Sequence, residues 1–186
     1  MKTALLLIDI QNDYFPGGKM ELVDSIQAAA ATARLLAVFR KQCWSVYHIQ
    51  HISPRPDATF FLPGTAGSEI YSGVSPLPGE PVIVKQFPNS FRETDLQERL
   101  RDDGVDTLLI CGMMSHMCVD ATVRAAFDFG FSCIVIHDAC ATRQLTFGGV
   151  TVLEAQVQAS FMAALGAVYA QVKSVAEILE NMASDG

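Results

Sequence analysis

The sequence has no apolar run long enough to cross a bilayer, which takes about 20 consecutive residues. Its first apolar run, residues 4–10, contains Asp9, so it is too short and too soon interrupted for a signal peptide. We therefore expect a soluble, cytoplasmic protein with no membrane partner.

The sequence also has few basic residues and lacks a paired-cysteine motif. The 13 Lys and Arg residues are outnumbered by 20 Asp and Glu residues, which gives a net charge of -7, and the longest basic run is Arg40-Lys41. This balance argues against nucleic acid as a partner, because a phosphate backbone requires a positive surface. The five cysteines have no CxxC spacing, which argues against a disulfide framework or a zinc ribbon. Gly148-Gly149 lacks the spacing of a phosphate-binding loop.

What the sequence does have is an alternation of strand and helix patterns. Its 186 residues, 50% of them hydrophobic, suffice for one full core, and we predict a single domain over residues 1–186. The predicted strands are residues 4–10, 45–50, 81–85, 107–111, 132–136 and 168–172, and helical spacing marks residues 25–42 and 119–129. Such an alternation predicts an α/β fold, a three-layer α/β/α sandwich around a mainly parallel six-stranded sheet.

Three further helices are predicted from capping boxes, in which Ser or Thr at the helix start is followed three residues later by Glu or Gln. The pairs are Thr94 with Gln97, Thr151 with Glu154, and Ser174 with Glu177. The segment between the second and third predicted strands, residues 51–80, is rich in Pro, Gly and Ser and is far longer than the usual loop of about 4–6 residues. Loops of this length are usually functional.

Three chemically capable side chains lie where predicted strands end. Asp9 lies at the end of the first strand, Lys85 ends the third, and Cys118 follows the fourth after a turn at Gly112. Because ligands of open parallel sheets bind beyond the carboxyl ends of the strands, we expect these groups to meet. An acid that takes a thiol proton, a thiolate that attacks and an ammonium that stabilises charge would form a catalytic set. A partly buried ion pair that closes the sheet edge would explain Asp9 and Lys85 equally well.

Cys118 is predicted to lie at the N-terminus of a helix. Unpaired backbone N–H groups and the positive end of the helix dipole would favour its thiolate and lower its pKa. The remaining cysteines are expected to be buried as small hydrophobic side chains; they are Cys43, Cys111, Cys133 and Cys140.

Three segments together resemble the isochorismatase-like cysteine hydrolases, a family that includes nicotinamidases, N-carbamoylsarcosine amidohydrolases and ureidoacrylate amidohydrolases. They are residues 6–15 (Leu-Leu-Ile-Asp-Ile-Gln-Asn-Asp-Tyr-Phe), 82–91 (Val-Ile-Val-Lys-Gln-Phe-Pro-Asn-Ser-Phe) and 110–122 (Ile-Cys-Gly-Met-Met-Ser-His-Met-Cys-Val-Asp-Ala-Thr). The resemblance covers nearly the whole chain, and its motifs occur in the family's order.

The resemblance implies a catalytic triad of Asp9, Lys85 and Cys118 on a sheet of strand order 3-2-1-4-5-6. It also implies a non-proline cis peptide between Met113 and Met114, and an oxyanion hole formed by the backbone N–H groups of Met114 and Cys118. Assembly into a homo-oligomer, a dimer or a tetramer, is expected because relatives assemble.

Substrate contacts are expected from the loops after the first three strands and from the turn before Cys118. We predict Phe15, Phe60, Phe87 and Phe91 as substrate-binding residues, with Phe61 as a further candidate. By analogy with the family that the chain resembles, Gln11 and Ser115 are predicted to contact the substrate as well, with Asn89 and Gln158 as further candidates. Nicotinamidases carry an Asp-x-His metal motif after the second strand, whereas this chain has His48-Ile-Gln-His51. We therefore expect no metal and no cofactor, although His51 could reach the pocket.

The sequence thus predicts a hydrolase that cleaves a C–N bond of a small amide, ureido or carbamoyl compound through a thioester on Cys118. Asp9 would act as general base and then as general acid, with Lys85 as its electrostatic partner. Two alternatives remain open. One is vinyl-ether hydrolysis of the isochorismatase type, and the other is a non-enzymatic redox or interaction module that uses the Cys118 thiol.

Overall fold

The computed structural model describes residues 2–184, so residues 1, 185 and 186 of the predicted domain lie outside it. The strands are β1 (Thr3–Ile8), β2 (Ser45–His51), β3 (Val82–Lys85), β4 (Thr107–Met113), β5 (Ser132–Ala141), β6 (Leu145–Phe147), β7 (Val150–Val152) and β8 (Gln171–Lys173). The α-helices are α1 (Ser25–Lys41), α2 (Leu96–Asp102), α3 (Asp120–Asp128), α4 (Glu154–Val168) and α5 (Val175–Ser184). No helix within residues 2–184 is both long enough and apolar enough to cross a membrane.

Six strands form one parallel sheet in the order β3-β2-β1-β4-β5-β8, which confirms the predicted architecture and strand order. The central strand β1 is buried from Ala4 to Ile8, as its continuous apolar run predicts for a strand that is covered on both faces. One face packs against a core that includes Leu35 and Phe39 of α1 and Ile178 of α5. Helices α2, α3 and α4 contribute to the core on the other face.

The capping-box predictions have different outcomes. Ser174 and Glu177 form the predicted box, because the Ser174 backbone N–H donates to the Glu177 carboxylate at 2.7 Å and the Glu177 N–H donates back to the Ser174 hydroxyl at 3.2 Å. The other two boxes are wrong. Thr94 precedes α2, which begins at Leu96, and its hydroxyl donates to the Ser90 carbonyl. Thr151 lies in β7 and pairs with Thr146 of β6, since residues 145–152 form a hairpin that the sequence reading missed.

Two other expectations need correction. The sixth strand of the sheet is Gln171–Lys173 and not residues 168–172, because α4 continues to Val168. Cys43 is exposed, whereas Cys111, Cys133 and Cys140 are buried as expected. Cys43 lies in the left-handed region at φ 54°, in the turn that connects α1 to β2, and this turn lies outside the core.

Candidate active site

The parallel register brings the ends of β1, β2, β3 and β4 to one edge of the sheet. Ile8 is level with Ile49 on β2 and with Gly112 on β4, and His51 at the end of β2 is level with Lys85 at the end of β3. Asp9 follows Ile8 directly and has a left-handed backbone, with φ 50°. Aspartate is among the few residues that tolerate this conformation, which recurs at functional sites.

The chain that leaves β4 passes very close to β1. A Cβ on Gly112 would lie 2.0 Å from the Ile8 carbonyl oxygen, and φ at Gly112 is 130°, so only glycine fits here. The Met113–Met114 peptide bond that follows is cis. Residues Ser115–Val119 then form one π-helical turn that leads into α3, and this turn holds Cys118 beside Asp9.

Asp9, Lys85 and Cys118 form one buried cluster. The Lys85 Nζ atom lies 2.7 Å from Asp9 Oδ2, and neither side chain is exposed to solvent. Neither carboxylate oxygen of Asp9 accepts a hydrogen bond of normal geometry from any described residue. A buried acceptor without such a partner needs an explanation, and a neighbouring thiol whose proton can be transferred is one.

The charge states of this cluster differ from the sequence-based expectation for the cysteine. Burial raises the pKa of the Cys118 thiol and the Asp9 carboxylate raises it further, which together outweigh the lowering by Lys85. The predicted lowering of this pKa is therefore wrong, because the thiol is almost completely shielded from water and lies next to a carboxylate. Burial alone would lower the pKa of Lys85, but the Asp9 carboxylate and Cys118 raise it, so the amine stays protonated.

A cavity of about 280 Å³ opens beside Cys118. It lies just below the range of about 300–1,000 Å³ that is usual for ligand pockets, so it suits a small molecule. Its walls are largely aromatic and apolar; the lining residues are Tyr14, His51, Ser53, Pro54, Arg55, Phe60, Phe61, Gln86, Phe87, Pro88, Met114, Met117 and Cys118. Two larger cavities, of about 610 and 670 Å³, have none of Asp9, Lys85 and Cys118 in their walls.

Among the predicted substrate contacts, Phe60 and Phe87 line this cavity, as does Phe61. The expectation is corrected for Phe15 and Phe91, which lie outside it. The Phe15 ring stacks on Tyr71 with ring centroids 3.7 Å apart. Phe91 packs against Phe129 and Phe131 in the core on the α3 side of the sheet.

The polar candidates also lie outside the cavity, and their side chains bond to the protein backbone. Gln11 bonds to backbone atoms of His51 and Ser68, and Ser115 donates to the Ala141 carbonyl at 3.2 Å. Asn89 accepts from the Phe91 backbone N–H, and Gln158 donates to the His137 carbonyl. Gln11 and Ser115 are buried, and buried polar groups need such partners, which the backbone supplies here.

Several lining residues were not singled out from the sequence. Gln86 and Pro88 flank Phe87 directly after Lys85, and Met117 precedes Cys118, so adjacency to Lys85 and Cys118 could have identified them. Ser53, Pro54 and Arg55 come from the long loop whose length was the predictive signal. Tyr14 lies in a one-turn helix after β1. Burial raises its pKa, so its phenol stays protonated at neutral pH.

The histidines near the site differ in their roles. His48 Nε2 lies 2.9 Å from the Glu80 carboxylate, and His116 Nδ1 lies 2.6 Å from the Thr142 hydroxyl, so both are used within the protein. His51 does reach the cavity, and the metal-ligating atoms of Asp9, His51 and Cys118 lie within 4.8 Å of one another. Lys85 Nζ is 2.7 Å from Asp9 and 3.0 Å from His51 Nδ1, so a metal ion would compete with the ammonium for the same acceptors.

Comparison with known proteins identifies the family. The model of the isochorismatase domain matches residues 3–171. The chain belongs to the isochorismatase family. It is 52% identical to the isochorismatase family protein YddQ of Bacillus subtilis (strain 168) over 180 residues, which is 97% of this chain and 100% of that protein. The crystal structure of a protein from Oleispira antarctica, described as an isochorismatase hydrolase, is 50% identical, covers 96% of both chains and superposes with a TM-score of 0.93.

Two more distant relatives carry names that state a reaction. Streptothricin hydrolase of Streptomyces noursei is 36% identical over 139 residues, which is 75% of this chain but 54% of that enzyme. The ureidoacrylate amidohydrolase RutB of Variovorax paradoxus (strain S110) is 26% identical over 188 residues, which is 83% of this chain and 73% of that enzyme. The chain thus shares its family with hydrolases.

Proposed function

We propose that this isochorismatase-family chain is a cysteine hydrolase that cleaves a C–N bond of a small amide, ureido or carbamoyl compound. The observation that carries the proposal is the buried Asp9–Lys85 pair, 2.7 Å apart, beside a thiol at the wall of a small apolar cavity. An ion pair that served only to close the sheet edge would need neither the thiol nor the cavity. The named relatives that act as a hydrolase and an amidohydrolase support the reaction class.

The first half of the mechanism forms a thioester. Asp9 takes the proton of the Cys118 thiol as the sulfur attacks the substrate carbonyl, and the backbone N–H groups of Met114 and Cys118 stabilise the resulting oxyanion. Asp9 then gives the proton to the leaving nitrogen as the C–N bond breaks. The amine or ammonia departs, and the acyl group remains on sulfur.

The second half releases the acid. Asp9 takes a proton from a water molecule, the hydroxyl adds to the thioester carbonyl, and the sulfur leaves and recovers the proton. Lys85 stays cationic throughout, because the negative charge that moves between Asp9 and Cys118 is always adjacent to its ammonium. The mechanism uses no metal and no cofactor.

The raised pKa of Cys118 fits this division of labour. A thiol that is protonated at neutral pH is a weak nucleophile, so it needs a base at the moment of attack. Asp9 lies next to it with no other proton donor of normal geometry on its oxygens. The activation step is therefore a proton transfer within the cluster and not a permanent thiolate.

The experiment is a screen of primary amides, ureas and carbamates for ammonia release, with intact-protein mass spectrometry to detect the acyl-enzyme. Cys118→Ala is expected to abolish release and the mass adduct, whereas Cys133→Ala, which removes another buried thiol outside the cavity, retains both. A vinyl ether is tested in the same screen. If the protein hydrolyses it and this activity persists in Cys118→Ala, the result would overturn the proposal in favour of isochorismatase chemistry. Peroxide-dependent sulfenate on Cys118 without any turnover would overturn it in favour of a redox module.

A further inference from the structure

His51 contacts the reactive cluster without being one of its three members. Its Nδ1 atom lies 3.0 Å from Lys85 Nζ, and the same ammonium donates to the Phe87 carbonyl at 3.1 Å and pairs with Asp9 at 2.7 Å. Two hydrogen bonds and one ion pair from different directions together fix the orientation of the ammonium. The imidazole is thus one of the groups that hold Lys85 in place.

The position of His51 is itself fixed by the Gln11 side chain. The Gln11 amide accepts a hydrogen bond from the His51 backbone N–H at 2.7 Å and donates to the His51 carbonyl at 2.9 Å, so it pairs with both backbone groups at the end of β2. Gln11 also donates to the Ser68 carbonyl at 2.7 Å. The Phe61 ring packs near the imidazole, with ring centroids 5.9 Å apart. With its backbone held by Gln11 and its ring packed against Phe61, His51 can act as a geometric reference for its neighbours.

The protonation of His51 follows from its contacts. Burial, the Lys85 charge and the Arg55 charge lower its pKa to about 4, against an opposing effect of Asp9, so the ring is neutral at pH 7. A neutral imidazole that accepts through Nδ1 carries its proton on Nε2. Nε2 has no hydrogen-bond partner within residues 2–184, and the ring lines the cavity.

We propose that His51 is a positioning residue with two faces: Nδ1 holds the Lys85 ammonium, and the Nε2–H group donates a hydrogen bond to an acceptor atom of the substrate. The inference rests on the proposed function and narrows the substrate class. The substrate carries a second oxygen or nitrogen acceptor in addition to the carbonyl that Cys118 attacks. Because the walls of the cavity are largely apolar, one donor has a large influence on which molecule binds.

Three substitutions separate the two faces. Asparagine places its amide near the position of Nδ1, and glutamine places its amide near the position of Nε2. His51→Asn is expected to raise KM about tenfold with kcat within about threefold, because one neutral hydrogen bond to substrate is lost. His51→Gln is expected to lower kcat about 10- to 100-fold with little change in KM, because Lys85 loses its acceptor. His51→Leu is expected both to raise KM and to lower kcat.

His137→Asn is the matched control, since His137 is exposed and lies at a different cavity. It is expected to leave both constants unchanged. The proposal would be overturned if the Asn and Gln variants showed the same decrease in kcat and the same increase in KM. Wild-type kinetics in His51→Leu would also overturn it. Thermal unfolding of each variant distinguishes a kinetic effect from loss of the fold.

A second measurement needs no substrate, so its result does not depend on the proposed function. Histidine-ring 15N NMR at pH 7 is expected to show His51 neutral, with a protonated Nε2 and a hydrogen-bonded Nδ1. The His51→Asn spectrum identifies the signals that belong to this ring. A proton on Nδ1, or a doubly protonated ring at pH 7, would overturn the positioning role even if the hydrolase activity is found.

Discussion

At the residue scale, the chemistry depends on which group holds the proton. Lys85 and Asp9 are fully buried as an ion pair, and the thiol beside them has a raised pKa. Replacing either member of a buried pair leaves the other as an uncompensated charge, which costs about 3–5 kcal/mol of stability. Catalytic and structural effects of these residues must therefore be separated by experiment.

Asp9→Asn is expected to lower kcat/KM about 100- to 10,000-fold, because the general base is lost while the side-chain shape is kept. It should also destabilise the fold, because the Lys85 ammonium loses its counter-charge. The double variant Asp9→Asn with Lys85→Met should recover stability in urea unfolding but not activity. Asp57→Asn, in the exposed part of the long loop, should match wild type in both measurements. Wild-type kcat/KM in Asp9→Asn would contradict the assigned role.

The cysteines illustrate why a residue type alone does not identify a nucleophile. Cys118 and Cys140 are both 5–7% exposed, and burial raises the pKa of both thiols. Cys118 differs because Asp9 and Lys85 lie beside it and a cavity reaches it. The sequence motif singled out Cys118 as a candidate, but its helix position led to the wrong direction for its pKa.

At the element scale, β4 passes very close to β1 at the site. Gly112 is level with Ile8, and both its φ of 130° and its contact with the Ile8 backbone require glycine. This contact sets the path of the chain into the turn that carries Cys118. A distortion here therefore affects both the central sheet and the site.

Gly112→Ala is expected to destabilise the protein by about 3 kcal/mol or more, because its Cβ would overlap the carbonyl of a central strand that cannot shift without loss of packing. Gly79→Ala is the matched control. Gly79 also has a positive φ, 95°, but a Cβ there meets nothing within 4 Å, so only the backbone preference of about 1 kcal/mol is lost. Urea unfolding measures both, and equal effects would show that the Ile8 contact does not matter.

The long loop is attached to α1 and β2 by a small charged cluster. The Glu80 carboxylate accepts two hydrogen bonds from Arg40, at 2.7 and 2.8 Å, and contacts His48 at 2.9 Å. Burial by itself would raise the pKa of Glu80, but the hydrogen bonds from Arg40, from the Leu77 backbone N–H and from His48 lower it to about 2. The cluster thus fixes the end of the loop just before β3.

Glu80→Gln is expected to lower stability at pH 7 by about 1–3 kcal/mol, because the charged hydrogen bonds weaken. The pKa of Glu80 is lower in the folded state than in the unfolded state, so its contribution is present above about pH 4.5 and is lost as the pH falls toward about 2. The stability difference between wild type and variant should therefore narrow over this interval in urea unfolding. A difference that stays constant would show that the charge of Glu80 does not contribute.

At the scale of the whole molecule, one surface region is almost free of charge. From Gln144 to Val172 the only Asp, Glu, Lys or Arg is Glu154. The hairpin in this region exposes Phe147 at 92% and Val150 at 65%, followed by Leu153 at 54%. Exposed apolar clusters of this kind mark contact surfaces. Two copies with a net charge of -7 repel each other least where neither carries charge, so we propose that a second copy of this chain binds here.

The expected result is that the protein has the mass of more than one chain in size-exclusion chromatography with light scattering. Phe147→Asp should shift it to the mass of one chain, because a charge would be buried between copies. Leu77→Asp places the same charge at an exposed leucine outside this region and should leave the mass unchanged. A wild-type protein with the mass of one chain would contradict the proposal.

Much of the fold could be predicted from the sequence because local patterns of apolar residues indicate which strands are buried. The continuous apolar run of β1 and the alternation of strands and helices are properties of neighbouring residues, and they sufficed for the three-layer fold. The β6–β7 hairpin was missed because Thr151-Val-Leu-Glu154 also fits a capping box. A short segment that fits both a helix start and a strand adopts the structure that its pairing with another segment stabilises. The local sequence pattern contains no information about that pairing.

For the site, the sequence by itself determined the candidate residues: Asp9 and Lys85 lie at the ends of predicted strands and Cys118 follows one, each in a recognisable motif. Only the tertiary structure decided what surrounds them. The path of the long loop brings Phe60 and Phe61 to the cavity. Gln11 and Ser115 bond to backbone carbonyls instead and do not line it. The protonation of Cys118 and His51 was also decided there, because a pKa depends on burial and on nearby charges from distant segments, and sequence spacing determines neither.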